Sequence, residues 1–468
     1  MPSPTATKTP LVEPTGSCGV LCTEEFWEAG ATVASVRAEL ELGADPRARN
    51  DDGTPALAFA VGFGSNPEIV KLLLDAGADP NAVDDYSGVP TLHMAVMLSA
   101  YASNPEAQSY VPGDGGDLVE NTLKSLELLL ERGADAGARD KYGQSALFLY
   151  FASQVGEFRR ADGSPDLVGP DPRVVELLLS SDAEVTVESE ADQMLLRYAM
   201  MVRSGPEVIG LLLDHGAGAA AMAAAGDYLG TPLHLAAMFN PDPLVLELLL
   251  ERGEDAAVPG PLGRTALHLV ALIGEAEPKA VRLLLDHGAD VNAAADQGDT
   301  PLHYAASHSG PDIVKVLLER GADVAARDHS MNIPLHAAVT DGYLSGPDRG
   351  IAGPEVIGLL LDAGAEVNAR GEGGGTPLHL AAWHQDADAA RRLVAGGGNV
   401  NAVDDLARTP LHRAAEFRET WRQGPDVSIE FVRMLVELGA EVSAKDRDGK
   451  TACDLSRTDD PDLRSLLC

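Results

Sequence analysis

The sequence predicts an all-helical repeat fold in which pairs of helices are joined by short hairpins. One recurring string is Thr-Pro-Leu-His, as in TPLHLAAMF from residue 231, TPLHYAASH from 300 and TPLHLAAWH from 376. A second recurring string is an amphipathic segment closed by Gly-Ala-Asp, as in KAVRLLLDHGAD from residue 279. The two strings alternate along the chain, so the repeating unit is two helices and a turn.

Each part of this unit has a local physical reason. Val281 and Leu284 are spaced as one apolar stripe of an amphipathic helix, and Gly288 follows its last turn, where a left-handed cap is favoured. Thr300 is placed to cap the next helix, with Pro301 at its first position, where a missing N–H costs nothing. The polar, Gly-bearing link between them is long enough only for a tight turn or hairpin.

The landmark of each unit is the central residue of its first helix. These residues are Leu57, Leu92, Leu147, Leu196, Leu233, Leu267, Leu302, Leu335, Leu378 and Leu411, with Cys453 in a last partial copy. A period near 33 residues with this punctuation closely resembles the ankyrin-repeat family over residues 21–468. The resemblance implies an ankyrin-type solenoid, a curved stack of about ten full repeats plus terminal caps. It also implies a concave face lined by first helices and hairpin tips.

The chain is expected to be one repeat array with a cap at each end. We predict a disordered segment at 1–17, an N-terminal capping repeat at 18–50, the array at 51–450 and a C-terminal capping partial repeat at 451–468. Four repeats exceed the period, and their extra residues fall between the first and second helix. These insertions are 99–117, 153–171, 340–353 and 416–426.

Composition and charge narrow the class of partner. Lys plus Arg total 35 against 72 for Asp plus Glu, a net charge of −37 that repels nucleic-acid backbones and anionic membranes. No apolar run is long enough to span a bilayer. The four cysteines, Cys18, Cys22, Cys453 and Cys468, stand in pairs at the two ends and do not form a disulfide framework. We therefore expect a cytoplasmic protein in a reducing compartment.

The histidines of the repeated string are expected to be structural. Adjacent repeats are about 8–10 Å apart, too far for two imidazoles to share a metal ion. No catalytic signature accompanies them, and neither a metal nor a cofactor is expected. The seven are His93, His234, His268, His303, His336, His379 and His412.

Residues directly after the alanine pair of each first helix are the candidates for contact, because no packing rule fixes them. Aromatic residues are frequent interface anchors, which favours Phe239, Trp383 and Phe417, with His308 and His384 beside them. Tyrosines at hairpin tips extend this candidate surface: Tyr86, Tyr142 and Tyr228. The insertions add an edge with aromatic and basic residues: Tyr101, Arg159, Arg160, Tyr343, Trp421 and Arg422.

Three functions remain open from the sequence. The first is a noncatalytic scaffold that binds a protein or peptide, possibly basic, on the concave face. The alternative is an enzyme or small-ligand receptor whose pocket lies under the insertions, with His308, His384, Arg159, Arg160 and Trp421 converging. The third is a self-assembling structural protein, and the sequence leaves the oligomeric state open.

Overall fold

A computed structural model describes most of the chain as α-helix. The described residues are 19–63, 66–85, 87–102, 118–155, 169–181, 183, 185–186, 189–224, 230–274, 276–339, 353–416, 428–456 and 460–468. Contacts within them divide the chain into two compact units, Met1–Gly226 and Asp227–Cys468. The β-structure in the described part is confined to isolated bridges in hairpins, such as Arg49 with Pro55. The all-helical prediction is confirmed.

The first unit contains consecutive helix pairs followed by one extra helix. Its helices are α1 (Glu24–Glu28), α2 (Val33–Glu41), α3 (Ala56–Gly62), α4 (Pro67–Asp75), α5 (Thr91–Ala102), α6 (Leu118–Glu131), α7 (Ala146–Ala152), α8 (Pro172–Ser180), α9 (Glu190–Met201), α10 (Pro206–Asp214) and α11 (Ala217–Ala224). From α3 to α9 the first helices pack side by side, and the second helices from α2 to α10 form another layer behind them. The core lies between the two layers.

The second unit repeats the same arrangement. Its helices are α12 (Pro232–Phe239), α13 (Pro243–Glu251), α14 (Ala266–Leu272), α15 (Pro278–Asp286), α16 (Pro301–His308), α17 (Pro311–Glu319), α18 (Pro334–Ala337), α19 (Pro354–Asp362), α20 (Pro377–His384), α21 (Ala387–Ala395), α22 (Pro410–Ala415), α23 (Ile429–Glu437), α24 (Ala452–Ser456) and α25 (Pro461–Leu467). The first helices, α12 to α24, pack in sequence. Leu302 and Leu317, one from each helix of a pair, are fully buried between the layers.

The predicted helix ends of the representative repeat are confirmed. Thr300 is the N-cap of α16 and Pro301 is its first residue. Gly288, after α15, has φ +92, a conformation that a side chain disfavours. Local residue choice therefore sets where these helices begin and end.

Two segments differ from the expected pattern in the first unit. Residues 217–224 form α11, where the sequence predicts only an inter-repeat turn. The segment AGAAAMAA is rich in alanine, the best helix former, and Ala217 and Ala220 are fully buried in a helix that packs against α9. Residues 99–102 belong to the last turn of α5, so the first predicted insertion begins inside a helix.

The cysteine prediction is wrong at the C-terminus. Cys453 in α24 and Cys468 after α25 form a disulfide, with their Cα atoms 5.4 Å apart. The short last helix pair brings together residues that are 15 positions apart in the chain. Disulfides are rare in reducing compartments, so this bond contradicts the expectation of reduced cysteines.

Candidate protein-binding surface

Six of the seven histidines of the repeated string lie within hydrogen-bonding distance of a backbone carbonyl in the next repeat, and His234 is the exception. In α16 the backbone N–H and hydroxyl of Thr300 lie 3.1 and 2.9 Å from Nδ1 of His303. Nε2 of His303 lies 3.2 Å from the carbonyl oxygen of Asn332 in the next hairpin. Since the Thr300 N–H donates to Nδ1, the proton of the imidazole sits on Nε2 and is donated to that carbonyl. The structural prediction for these residues is confirmed here.

Burial favours the neutral imidazole at His268 and His379. It lowers the pKa of His268 and of His379 to about 4, although a backbone carbonyl bonded to each ring acts in the opposite direction. With both ring nitrogens engaged, His379 is a packing element of the stack.

The first helices of the second unit expose an apolar and aromatic surface. We call it the first-helix surface. It comprises Met238, Phe239, Leu272, Ile273, Tyr304, His308, Trp383, His384 and Arg413, all partly or well exposed. Four predicted contact residues, Phe239, His308, Trp383 and His384, lie on it at the ends of α12, α16 and α20.

The other predicted contact residues have different outcomes. Tyr142 lies at a hairpin tip of the first unit, 72% exposed, with the Lys141 ammonium 5.3 Å from its ring centroid. Tyr101 lies in α5 and is exposed at one side of the helix. The remaining predicted residues lie outside the described part of the chain: Phe417, Tyr86, Tyr228, Arg159, Arg160, Tyr343, Trp421 and Arg422.

The buried carboxylate of Asp404 holds the arginine that lies beside Trp383. Arg413 lies beside the Trp383 ring, with its Cζ 5.7 Å from the ring centroid. Arg413 donates from Nη2 to Asp404 at 2.9 Å, and Arg408 donates from Nε to the same oxygen at 3.0 Å. Burial of the Asp404 side chain opposes ionisation, but backbone N–H donors and the two guanidinium groups hold its pKa below the ordinary value. The network therefore fixes Arg413 against Trp383.

Charge is distributed unevenly between the two helix layers of the second unit. The helices α12, α14, α16, α18, α20 and α22 contain no Asp or Glu, and Arg413 is their one Lys or Arg. The second helices α13, α15, α17, α19, α21 and α23 each contain at least one carboxylate. These six first helices therefore contribute none of the carboxylates of a chain whose net charge is −37.

Two hairpin tips of the second unit add apolar residues that the sequence analysis missed. Leu262 and Met331 are 61% and 54% exposed. Both have positive φ, +59 and +66, which is unfavourable for residues with large side chains. Met331 stands four positions before Leu335, where other repeats have glycines such as Gly298. The sequence alone could have revealed this exposed tip, because a large residue stands where other repeats have glycine.

Comparison with known proteins agrees with this architecture. A profile described as ankyrin repeats in three copies matches residues 233–328 and 350–446, and an ankyrin-repeat profile matches 52–85. Together with the helix pairs, these matches show that the chain belongs to the ankyrin-repeat proteins.

Relatives with other names share only part of the chain. The E3 ubiquitin-protein ligase KEG of Arabidopsis thaliana is 27% identical over 53% of this chain and 15% of its own length. The mouse (Mus musculus) B-cell lymphoma 3 protein homolog is 30% identical over 27% of this chain and 31% of its own. The solved ankyrin repeat domain of human ASB11 is 29% identical with a TM-score of 0.42, covering 51% of this chain and 96% of that domain. The chain thus spans less than a third of these two curated relatives.

Ankyrin repeats are in general interaction modules rather than catalytic domains, and the family indicates a protein partner. None of the described helices has both the length and the apolar character needed to cross a bilayer.

Proposed function

We propose that this chain is a noncatalytic scaffold that holds a protein partner against the first-helix surface, with Trp383 as the central contact. The observation that carries the proposal is the exposure of apolar and aromatic side chains on the first helices from α12 to α22, which contain no carboxylates, in a chain of net charge −37. Desolvating such a surface costs little, because it has few charges to strip of water. The exposed tips Leu262 and Met331 extend the apolar area beyond the helices.

Trp383 has the features of an anchor. Its ring is partly exposed and is held on one side by Arg413, which Asp404 fixes in turn. A side chain that is already ordered loses little conformational entropy on binding. Aromatic residues in such supported positions dominate the energy of many interfaces.

The charge of the partner is a further part of the proposal. The carboxylates of the second helices and loops produce a long-range negative potential around a neutral contact surface. We infer that a partner with basic flanks associates faster than a neutral one, while its apolar residues make the close contacts.

Affinity capture from native extract with chemical cross-linking tests the scaffold. We expect Trp383→Ala to reduce capture of the specific partner by at least about tenfold, as expected for loss of a hot-spot residue. Leu244→Ala is the matched control, because Leu244 is 52% exposed on the second helix α13, away from this surface. Equal capture by wild type and Trp383→Ala contradicts the proposal, as does an equal loss with Leu244→Ala.

The pocket alternative gains no support from the described residues. Of its residues, Arg159, Arg160 and Trp421 lie outside the described part, and His308 and His384 stand on separate first helices, α16 and α20. The described residues hold an open groove of about 340 Å³ lined by Pro354, Glu355, Gly358, Leu359, Asp362 and Arg392. That groove lies on α19 and α21, which are second helices.

A further inference from the structure

We propose that Arg264, positioned by Tyr304, forms a subsite on the first-helix surface that receives one aspartate or glutamate side chain of the partner. The inference rests on the proposed function and deepens it by assigning the chemistry of one contact.

Arg264 is a half-buried cation without an ion pair in the described part of the chain. Its Nε donates to the hydroxyl of Tyr304 at 2.8 Å, and its Cζ lies 5.1 Å from the Tyr304 ring centroid. The described residues offer no acceptor to its two terminal nitrogens, and neither nitrogen is sealed from solvent. Within the described residues, both terminal amino groups are therefore available to a ligand.

The fixed orientation of this guanidinium suits a carboxylate. Arg264 lies in the hairpin before α14, and Tyr304 lies on α16, 40 positions later. The Tyr304 ring is held in turn by an edge contact with His268, at 5.7 Å between centroids. Two parallel N–H donors on a planar fork match the two oxygens of a carboxylate. Since Tyr304 already fixes Nε, little conformational freedom remains to be lost when a carboxylate binds.

The charged neighbours of Arg264 do not neutralise it within the described part of the chain. Asp299 precedes Thr300 and its charge raises the pKa of Tyr304, but no ion pair joins it to Arg264 among the described residues. His308 lies on the same helix as Tyr304; burial lowers its pKa, and the charge of Arg264 lowers it further. The other arginine of this surface, Arg413, is already neutralised by Asp404. Arg264 is thus the cation here that a partner carboxylate can neutralise.

Both positions vary among the repeats. The residue after the motif histidine is leucine in α12, α14 and α20, tyrosine in α16, alanine in α18 and arginine in α22. The residue before the N-cap is Gly230, Arg264, Asp299, Asn332, Gly375 and Arg408 in successive repeats. Neither Arg264 nor Tyr304 is required by the repeat architecture, and together they build a polar point on an apolar surface.

A pair of short peptides tests the subsite on the full chain. Binding of acetyl-Leu-Glu-Leu-amide and of acetyl-Leu-Gln-Leu-amide is measured by saturation-transfer NMR on their leucine methyl groups. We expect the Glu peptide to bind about tenfold more tightly than its Gln counterpart, the factor that one charge-assisted pair supplies. In arginine-labelled protein, the Nε–H signal of Arg264 shifts on addition of the Glu peptide.

Variants assign the preference to Arg264. Arg264→Gln is expected to abolish the preference for Glu, and Tyr304→Phe, which keeps the cation but frees its orientation, is expected to reduce it. Arg447→Gln removes an arginine from another hairpin of the second unit and should leave the preference intact. Thermal unfolding of each variant confirms that it is folded.

The inference is overturned by equal binding of the two peptides to wild type, or by a preference for Glu that survives Arg264→Gln. Either result would leave the scaffold proposal standing, because that proposal is tested separately by partner capture that depends on Trp383.

Discussion

Buried histidines link the stability of this protein to pH. The pKa of His379 falls from its ordinary 6.5 to about 4 in the folded chain because burial disfavours the charged ring. Between these two values the unfolded chain binds more protons than the folded one. The stabilisation is therefore fully present above about pH 6.5 and is lost as the pH falls through this window towards about 4.

We expect His379→Gln to reduce this pH dependence. At about pH 5, a pKa shift of this size removes about 2 kcal/mol of the stability present at about pH 7.5. Urea unfolding midpoints at the two pH values measure the effect. The midpoint of wild type should fall at the lower pH by more than that of the variant. His287→Gln, which removes an exposed imidazole outside the motif, is the control, and an identical pH response of wild type and His379→Gln would refute the assignment.

Met331 at a hairpin tip combines a strained backbone with an exposed side chain. Its φ of +66 is strained for a residue with a side chain, and glycine relieves that strain. We expect Met331→Gly to raise the free energy of unfolding by about 0.5–1 kcal/mol, net of the greater freedom of glycine in the unfolded chain. Ser330→Gly, at the neighbouring position of the same tip, should give no gain. A loss of stability in Met331→Gly would show that the tip is not strained by its side chain.

In α11, local helix propensity overrides the turn that the repeat pattern predicts. The alanine-rich α11 occupies the place of a hairpin because alanine favours helix and its small side chains allow close packing on α9. At the other extreme, α24 has five residues and α25 has seven, so both depend on tertiary contacts to stay in place. Their disulfide adds a covalent constraint to those contacts.

Removing that disulfide should loosen the C-terminal helix pair. A loop of 15 residues closed by a disulfide is stabilised by about 3 kcal/mol relative to the open chain. We expect Cys468→Ser to increase hydrogen exchange in α24 and α25 while leaving α12 to α17 unchanged. Reduction of wild type by dithiothreitol should reproduce the effect and should add nothing to the variant. Unchanged exchange at the C-terminus would mean that packing alone holds these helices.

The charge of the entire chain affects its stability as well as its partners. A net charge of −37 on 468 residues creates self-repulsion that favours the unfolded state. The repeats resist it by placing arginines against carboxylates, such as Arg320 beside Asp286 at 2.7 Å. Exposed pairs of this kind contribute little, so most of the repulsion remains.

Added salt should therefore stabilise the chain. We expect the thermal midpoint to rise by a few degrees, about 2–4 °C, as sodium chloride increases from about 0.02 to 0.5 M and the screening length shortens. Choline chloride at equal ionic strength should act similarly, because the effect is one of screening. A midpoint that falls with both salts would mean that the net contribution of the ion pairs exceeds the repulsion.

Much of the fold could be predicted because the determinants are local. Thr300 as a cap, Pro301 at a first position and Gly288 at a helix end each act on residues within four positions, and the repetition of such signals reveals the period. The candidate surface could be predicted in part for the same reason. His308 and His384 each stand six positions after the landmark leucine of their repeat, so a spacing rule places both at the same point of the unit, with Trp383 one position earlier.

Pairings between repeats depend on tertiary structure. Asn292 bonds Gly321 and Asp323 in the next repeat, and Arg264 bonds Tyr304. Each joins residues that are far apart in sequence, and the stacking register alone decides which side chains face one another. Local propensity and capping, which can be read from the residues alone, set the repeating helix pair and its ends. Which residues form a buried charge network or an available arginine was decided by packing, since burial and ion pairing depend on neighbours that no local pattern specifies.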